Sequence, residues 1–183
     1  MNVEELIKQV AHARKNFIDA CSNLSYEQAS FKTSPEEWCI SEIAEHLVWA
    51  EQGGINGICK TIAGIKNHTP IWTGEAIHHG LSIEKIIEKT WREKETVPEI
   101  AKPRWGGPIE FWICSLDLTQ DLLQTLPKTL GDLDPEQVVY PHIISGPLNV
   151  TQRMEFLRFH LERHQKQVEN IKINPAFPKN IQE

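Results

Sequence analysis

The sequence predicts an all-α fold: a four-helix bundle with a short extra helix and an irregular insert between the second and third long helices. Three observations predict it. Four long segments repeat their apolar residues with the 3.6-residue period of an amphipathic helix. Capping residues stand at helix starts, and Pro and Gly cluster between the segments. Strand-like character is confined to a weak Val138-Val139-Tyr140. Helices of this length bury their stripes most simply as a bundle.

In the first segment Asn2 is suited to cap the helix, with Glu5 reaching back as a capping box. Val3, Leu6, Val10, Ala13, Phe17, Cys21 and Leu24 form its stripe, and His12 falls on the solvent side. A turn through Thr33-Ser34-Pro35 leads to a second helix, expected from a Ser41 cap to about Gly64. Ile43, Leu47, Ile58 and Ile62 mark its inner face. The row through His46 carries Ala50, Gly53 and Gly57. Each glycine inside a helix costs roughly 1 kcal/mol relative to alanine. Something therefore comes close to that row: another helix backbone, or a ligand beside His46.

The insert, residues 65–108, is punctuated by Pro70, Gly74, Gly80, Pro98, Pro103, Gly106, Gly107 and Pro108. It contains a short helix starting at Ser82, with Ile83, Ile86, Ile87 and Trp91 on one side. Such a segment is a candidate wall or lid over a site. The third long helix is expected with Pro108 at its first position and Pro127 at its end. Residues 128–148 are rich in turn formers. Asn149 and Gln152 then form a capping box for a last helix running to about Ile173. The domain is expected to span residues 1–174, followed by a tail at 175–183 whose prolines, Pro175 and Pro178, end regular structure.

The 183 residues suit one domain, and a formal net charge of −6 with no long Lys/Arg cluster argues against nucleic-acid binding. No apolar run approaches the roughly 20 residues of a membrane span, and the acidic, amphipathic start does not read as a signal peptide. Cys21, Cys39, Cys59 and Cys114 lie far apart without a C-x-x-C pair, which suits a reducing cytoplasm. A cytoplasmic location is the expectation.

The chemistry centres on His160-Leu161-Glu162-Arg163-His164. Residues four apart stack on one helical face, here the face of Leu157, Leu161, Val168 and Ile171. Two inward imidazoles make half of a metal site. The stretch is not the H-E-x-x-H of metalloproteases, because Glu162 turns about 200° away from His160 and should face solvent. His46 is the best third ligand among the remaining histidines, although spacing alone does not link it to the pair. The adjacent His78 and His79 define no metal geometry by themselves. Glu42, one turn before His46, is a candidate base or ligand-orienting carboxylate, or else an ordinary first-turn glutamate facing the helix dipole. Three histidines would leave one position open on Zn²⁺, Ni²⁺, Fe²⁺ or Co²⁺, the pattern of a catalytic site. A metal there activates water near neutral pH or binds a thiol as thiolate.

The stretch Trp38-Cys39-Ile40-Ser41-Glu42-Ile43-Ala44-Glu45-His46-Leu47-Val48-Trp49-Ala50-Glu51 resembles the DinB/YfiT-like superfamily. So does the stretch from Gly146-Pro147-Leu148-Asn149-Val150 through His160-Leu161-Glu162-Arg163-His164-Gln165-Lys166-Gln167. The order is that of the family: a tryptophan-led helix with one histidine, then a late H-x-x-x-H helix. The resemblance implies a four-helix bundle holding a divalent metal, commonly zinc or nickel, on His46, His160 and His164. Members of that superfamily include thiol-dependent S-transferases and a mycothiol-dependent isomerase, and many others are described only as metalloenzymes. Many are dimeric, so a homodimer is a further expectation. The expected function is therefore a metal-dependent enzyme acting on a small molecule, as a hydrolase or as an S-transferase with a low-molecular-weight thiol as cosubstrate. The contrasting expectation is a non-catalytic metal- or partner-binding helical protein. The insert matches no motif of the family and is where substrate choice would lie.

Overall fold

The computed structural model describes residues 2–92 and 96–179, and its fold is mostly helical, with about 60% helix and a small two-stranded sheet. Four long helices dominate: α1 (Val3–Cys21), α3 (Ile40–Lys66), α5 (Ile109–Gln124) and α7 (Val150–Lys172). Between them lie the short helices α2 (Tyr26–Ser30), α4 (Ile83–Thr90) and α6 (Leu126–Leu130), and a 3₁₀ turn at Glu99–Ala101. Helix α1 packs on α7 and α5, and α3 packs on α5 and α7. The stripes expected from periodicity meet in one core, where Phe17, Ile43, Leu47, Trp112, Leu116 and Leu161 are fully buried.

The helix starts follow local chemistry. The Asn2 side chain accepts the Glu5 N–H at 2.8 Å. The Asn149–Gln152 capping box closes at both ends, at 2.8 and 3.2 Å. Helix α3 begins before the expected Ser41: its cap is Cys39, whose N–H is accepted by Glu42 at 2.9 Å, and Ser41 is buried in the first turn. Pro108 caps α5 instead of opening it, and Pro127, expected to end that helix, sits in the first turn of α6. Both shifts fit a residue with no N–H to offer inside a helix.

The expectation of an all-α chain needs one correction. Val139–His142 (β1) and Gly146–Asn149 (β2) form an antiparallel hairpin, with Tyr140 opposite Leu148 and Pro141 opposite Pro147. Its paired prolines and short strands hide the period-two signal. Gly146, at φ +72°, turns the chain in a conformation that favours glycine. The hairpin and α4 pack on the start of α7 through Ile83, Ile86, Leu148 and Phe156. In the tail, Phe177 packs edge-on to Phe31 with centroids 5.5 Å apart, and Gln28 donates to the Pro178 carbonyl at 2.9 Å. Residues 180–183 lie outside the described part.

A buried polar contact crosses the core. Arg14 of α1 and Glu51 of α3, each about 1% exposed, pair at 2.6 Å, and Thr119 of α5 donates to the same carboxylate at 2.6 Å. Gln120 accepts a further bond from Arg14.

Candidate metal centre

Helix α3 carries His46 and helix α7 carries His160 and His164, and the fold brings all three to one point. The Nε2 atom of His160 lies 3.2 Å from Nε2 of His46 and 3.1 Å from Nε2 of His164. One ligand nitrogen from each ring lies within 4.8 Å of the other two. The three residues are only 4%, 6% and 7% exposed. At a zinc–nitrogen distance of roughly 2.0–2.1 Å, two ligands of one tetrahedral ion sit about 3.3 Å apart, so this spacing suits a shared cation.

The outer nitrogens decide what the inner ones offer. His46 Nδ1–H donates to the Ala101 carbonyl at 2.7 Å, and His164 Nδ1–H donates to Gln167 Oε1 at 2.9 Å. In a neutral ring the other nitrogen is then a bare lone pair. Both lone pairs point at His160 Nε2, and a single proton there satisfies only one of them. His160 Nδ1 is itself buried without a partner. The donor set is thus left unsatisfied by protons and fits a cation. Burial is the main cause that pushes all three rings below their ordinary values, His164 to about 3. Neighbouring histidines push His160 and His164 further down. The rings are therefore neutral at neutral pH, the state a metal ligand needs.

Glu45, next to His46, is fully buried. Its carboxylate accepts the backbone N–H groups of Arg104, Trp105 and Gly106 at 2.7, 2.8 and 2.9 Å, and the Trp49 indole N–H at 3.1 Å. Burial raises its carboxyl, but these hydrogen bonds outweigh burial and hold it below the usual value. The bonds clamp the end of the insert onto α3. That clamp holds the 3₁₀ turn where Ala101 can meet His46.

The histidines open into a cavity of about 1090 Å³. Trp38, Trp49, Trp91, Tyr140 and Phe156 give it aromatic walls. Trp38 lies 5.0 Å from the His46 ring, and Phe156 stacks on His160 at 5.3 Å. The insert supplies part of the wall, including Val97, Pro98 and Ile100. Ala50 and Gly53 line the cavity, as the ligand reading of that row anticipates, and Gly54 joins them. Gly57 does not: a Cβ there would stand 2.5 Å from the Tyr140 hydroxyl, which itself bonds to the Gly54 carbonyl at 2.8 Å. The close neighbour at Gly57 is an aromatic ring of the hairpin.

The other candidates sit elsewhere. Glu42 is not gathered with the histidines; it accepts the Cys39 N–H and pairs with Lys32 at 2.8 Å. Glu162 pairs with Arg158 at 2.7 Å on the outer side of α7. His78 is buried and bonds to the Ser145 carbonyl at 2.7 Å, while His79 and His12 are exposed. Glu45, Gln167, Tyr140 and Arg153 escape the sequence reading. Gln167 carries a signal, three residues beyond His164 and thus on its face; Glu45 carries only Trp49 four residues on, because its backbone partners lie about 60 residues away.

A helical fold with three buried histidines around one point, at the floor of an aromatic cavity, defines a metal-binding helical protein. The sequence profile of the DinB superfamily matches residues 9–168, and the chain belongs to that superfamily. No curated protein matches the chain. Among the described residues, no helix is long and apolar enough to cross a membrane.

Proposed function

We propose that this protein is a metal-dependent enzyme of the cytoplasm that transfers a low-molecular-weight thiol to a small electrophilic substrate, with hydrolysis as the competing reaction. Its four long helices form the bundle the resemblance implies, in one domain over residues 1–174. The convergence of three neutral imidazole nitrogens, two of them fixed by outer hydrogen bonds, is the observation that carries this reading. His46, His160 and His164 would hold zinc or nickel. A divalent ion in such a site supplies a thiolate or hydroxide at neutral pH through its open position.

Two features support thiol transfer over hydrolysis. The only carboxylates on the cavity wall among the described residues are Glu36 and Glu37, neither gathered with the histidines, so no carboxylate stands at the site to assist hydrolysis beyond what the metal itself would supply. The cavity is also just above the roughly 300–1,000 Å³ of single-ligand pockets, which leaves room for a thiol and a second molecule. The aromatic walls orient an apolar substrate body and exclude water from the reacting end. Glu45 keeps the Ala101 carbonyl against His46, which fixes that ring's tautomer. Glu42 serves by setting the start of α3, one turn before His46.

We also assign a homodimer. Phe111, Leu118 and Leu122 are 52%, 66% and 48% exposed, and their spacing places them on one face of α5.

Elemental analysis of protein purified without an affinity tag tests the site. Near-stoichiometric zinc or nickel, lost in His160→Ala and His164→Ala, is expected. No metal after reconstitution would overturn the site. Turnover of a chromogenic electrophile with glutathione, bacillithiol or mycothiol, set against an ester and amide panel, tests the reaction. Silence with all three thiols would remove the transferase.

A further inference from the structure

The protein is acidic overall, yet Arg92, Lys102, Arg153 and Arg163 face Glu36 and Glu37 around the cavity, so its lining is basic. Arg153 is the unusual member. It is only 6% exposed, and no carboxylate pairs with it among the described residues. Its guanidinium lies over the Tyr140 ring at 3.7 Å and donates from Nη2 to the Tyr140 carbonyl at 2.9 Å. Those two contacts fix the group in place and, among the described residues, leave Nη1 without a partner and Nε buried without one. A buried cation without a counter-charge is costly. Its position adds to the cost: Arg153 lies in the first turns of α7, where the helix dipole disfavours positive charge. The cation–π contact with Tyr140 uses the charge but leaves those donors unused.

A second donor stands nearby. His142 Nδ1 accepts the N–H groups of Ile144 and Ser145 at 3.3 and 3.1 Å, so in the neutral ring the hydrogen is on Nε2. His142 and Arg153 both line the cavity. Arg153 and His160 are seven residues apart on one face of α7, which separates them by about 10.5 Å along the helix.

We propose that Arg153, with His142 beside it, anchors an oxyanion of the substrate, so that the molecule entering this cavity is an organic anion with an apolar body. The oxyanion is a carboxylate or a phosphate monoester, and the opposite end of the molecule reaches the three histidines. The inference rests on the metal-centre reading only for that reactive end.

Titration calorimetry of the full chain with 4-phenylbutyrate, 4-phenylbutyl phosphate and the uncharged 4-phenylbutyramide tests it. At least one anion should bind about tenfold or more tightly than the amide. The better of the two identifies the oxyanion. The preference should vanish in Arg153→Met and survive in part in Arg153→Lys. Should the methionine variant not fold, Arg153→Gln takes its place. The preference must also persist in the double variant His160→Ala/His164→Ala; its loss there would mean that the anion sits on a metal, and would overturn the proposal. Equal affinity for anions and amide, a preference that survives loss of Arg153, or no anion binding at millimolar concentration would overturn it as well. Metal content measured on the same samples judges the metal centre separately.

Discussion

Glu45 contributes no ligand atom, yet the position of His46, a proposed ligand, depends on it. Replacing it with glutamine removes the charge that four N–H groups share. Partners of this kind, acting through a ligand's outer hydrogen bond, typically cost ten- to a hundredfold in metal affinity when lost. A competition titration with a chelating dye should therefore show Glu45→Gln at least about tenfold weaker in metal, with the helical circular dichroism retained. Unchanged affinity would show that Ala101 stays in place without the clamp. The contrast with His160 and His164 explains what sequence can reveal at this scale. Those two are four residues apart, and helix geometry alone stacks them. His46 meets them across 114 residues, and Glu45 meets its backbone partners across about 60. No local periodicity encodes such distances: His46 is the best third ligand among the remaining histidines, and the family resemblance is what links it to the pair.

At the scale of elements, the contact of α3 with the hairpin sets opposite expectations for neighbouring glycines. Gly57→Ala pushes a methyl group against Tyr140, whose hydroxyl is held by Gly54, and should destabilise by about 1–3 kcal/mol. Gly53 has nothing within 4 Å of an added Cβ, so Gly53→Ala should stabilise by up to about 1 kcal/mol through helix propensity. Urea unfolding of the two variants checks both signs. The Arg14–Glu51 pair ties three helices together. Arg14→Met strands a buried carboxylate and should cost about 3–5 kcal/mol, much of it recovered in Arg14→Met/Glu51→Leu. The long helices were legible because stripes and caps are written within a few residues. The hairpin was legible only as the weak strand character at Val139 and Tyr140, because its strands are four residues each and are interrupted by Pro141 and Pro147.

For the whole molecule, two measurements bear on charge and assembly. His142 and His164 are each pushed down to about 3, chiefly by burial. Unfolded histidines bind protons below about 6.5, so between pH 6.5 and 3 the unfolded chain holds more protons than the folded one. The stability of the metal-free protein should therefore fall as pH drops through that window, and be insensitive to these groups above it. Thermal denaturation across pH checks this, and a flat profile from 6.5 to 4 would contradict it. Metal loss should follow the same direction, since protons compete for the same nitrogens. Sedimentation should show a dimer that Leu118→Glu converts to monomer, because the change puts charge in the middle of the exposed α5 stripe. The composition pointed to a single acidic globular domain, but it hid the basic lining of the cavity. Net charge averages over the surface and carries no record of where the cations gather.

The bond from His46 to the Ala101 carbonyl joins two tasks usually assigned to separate parts of a protein. Ala101 belongs to the stretch that shapes the cavity, while the imidazole it touches would be an electron donor to an ion held by the three histidines. A change in the insert that reshapes the pocket for a new substrate will also alter how strongly that donor pushes. Choice of substrate and reactivity of the centre are therefore coupled traits here, and a variant selected for one should show a measurable shift in the other.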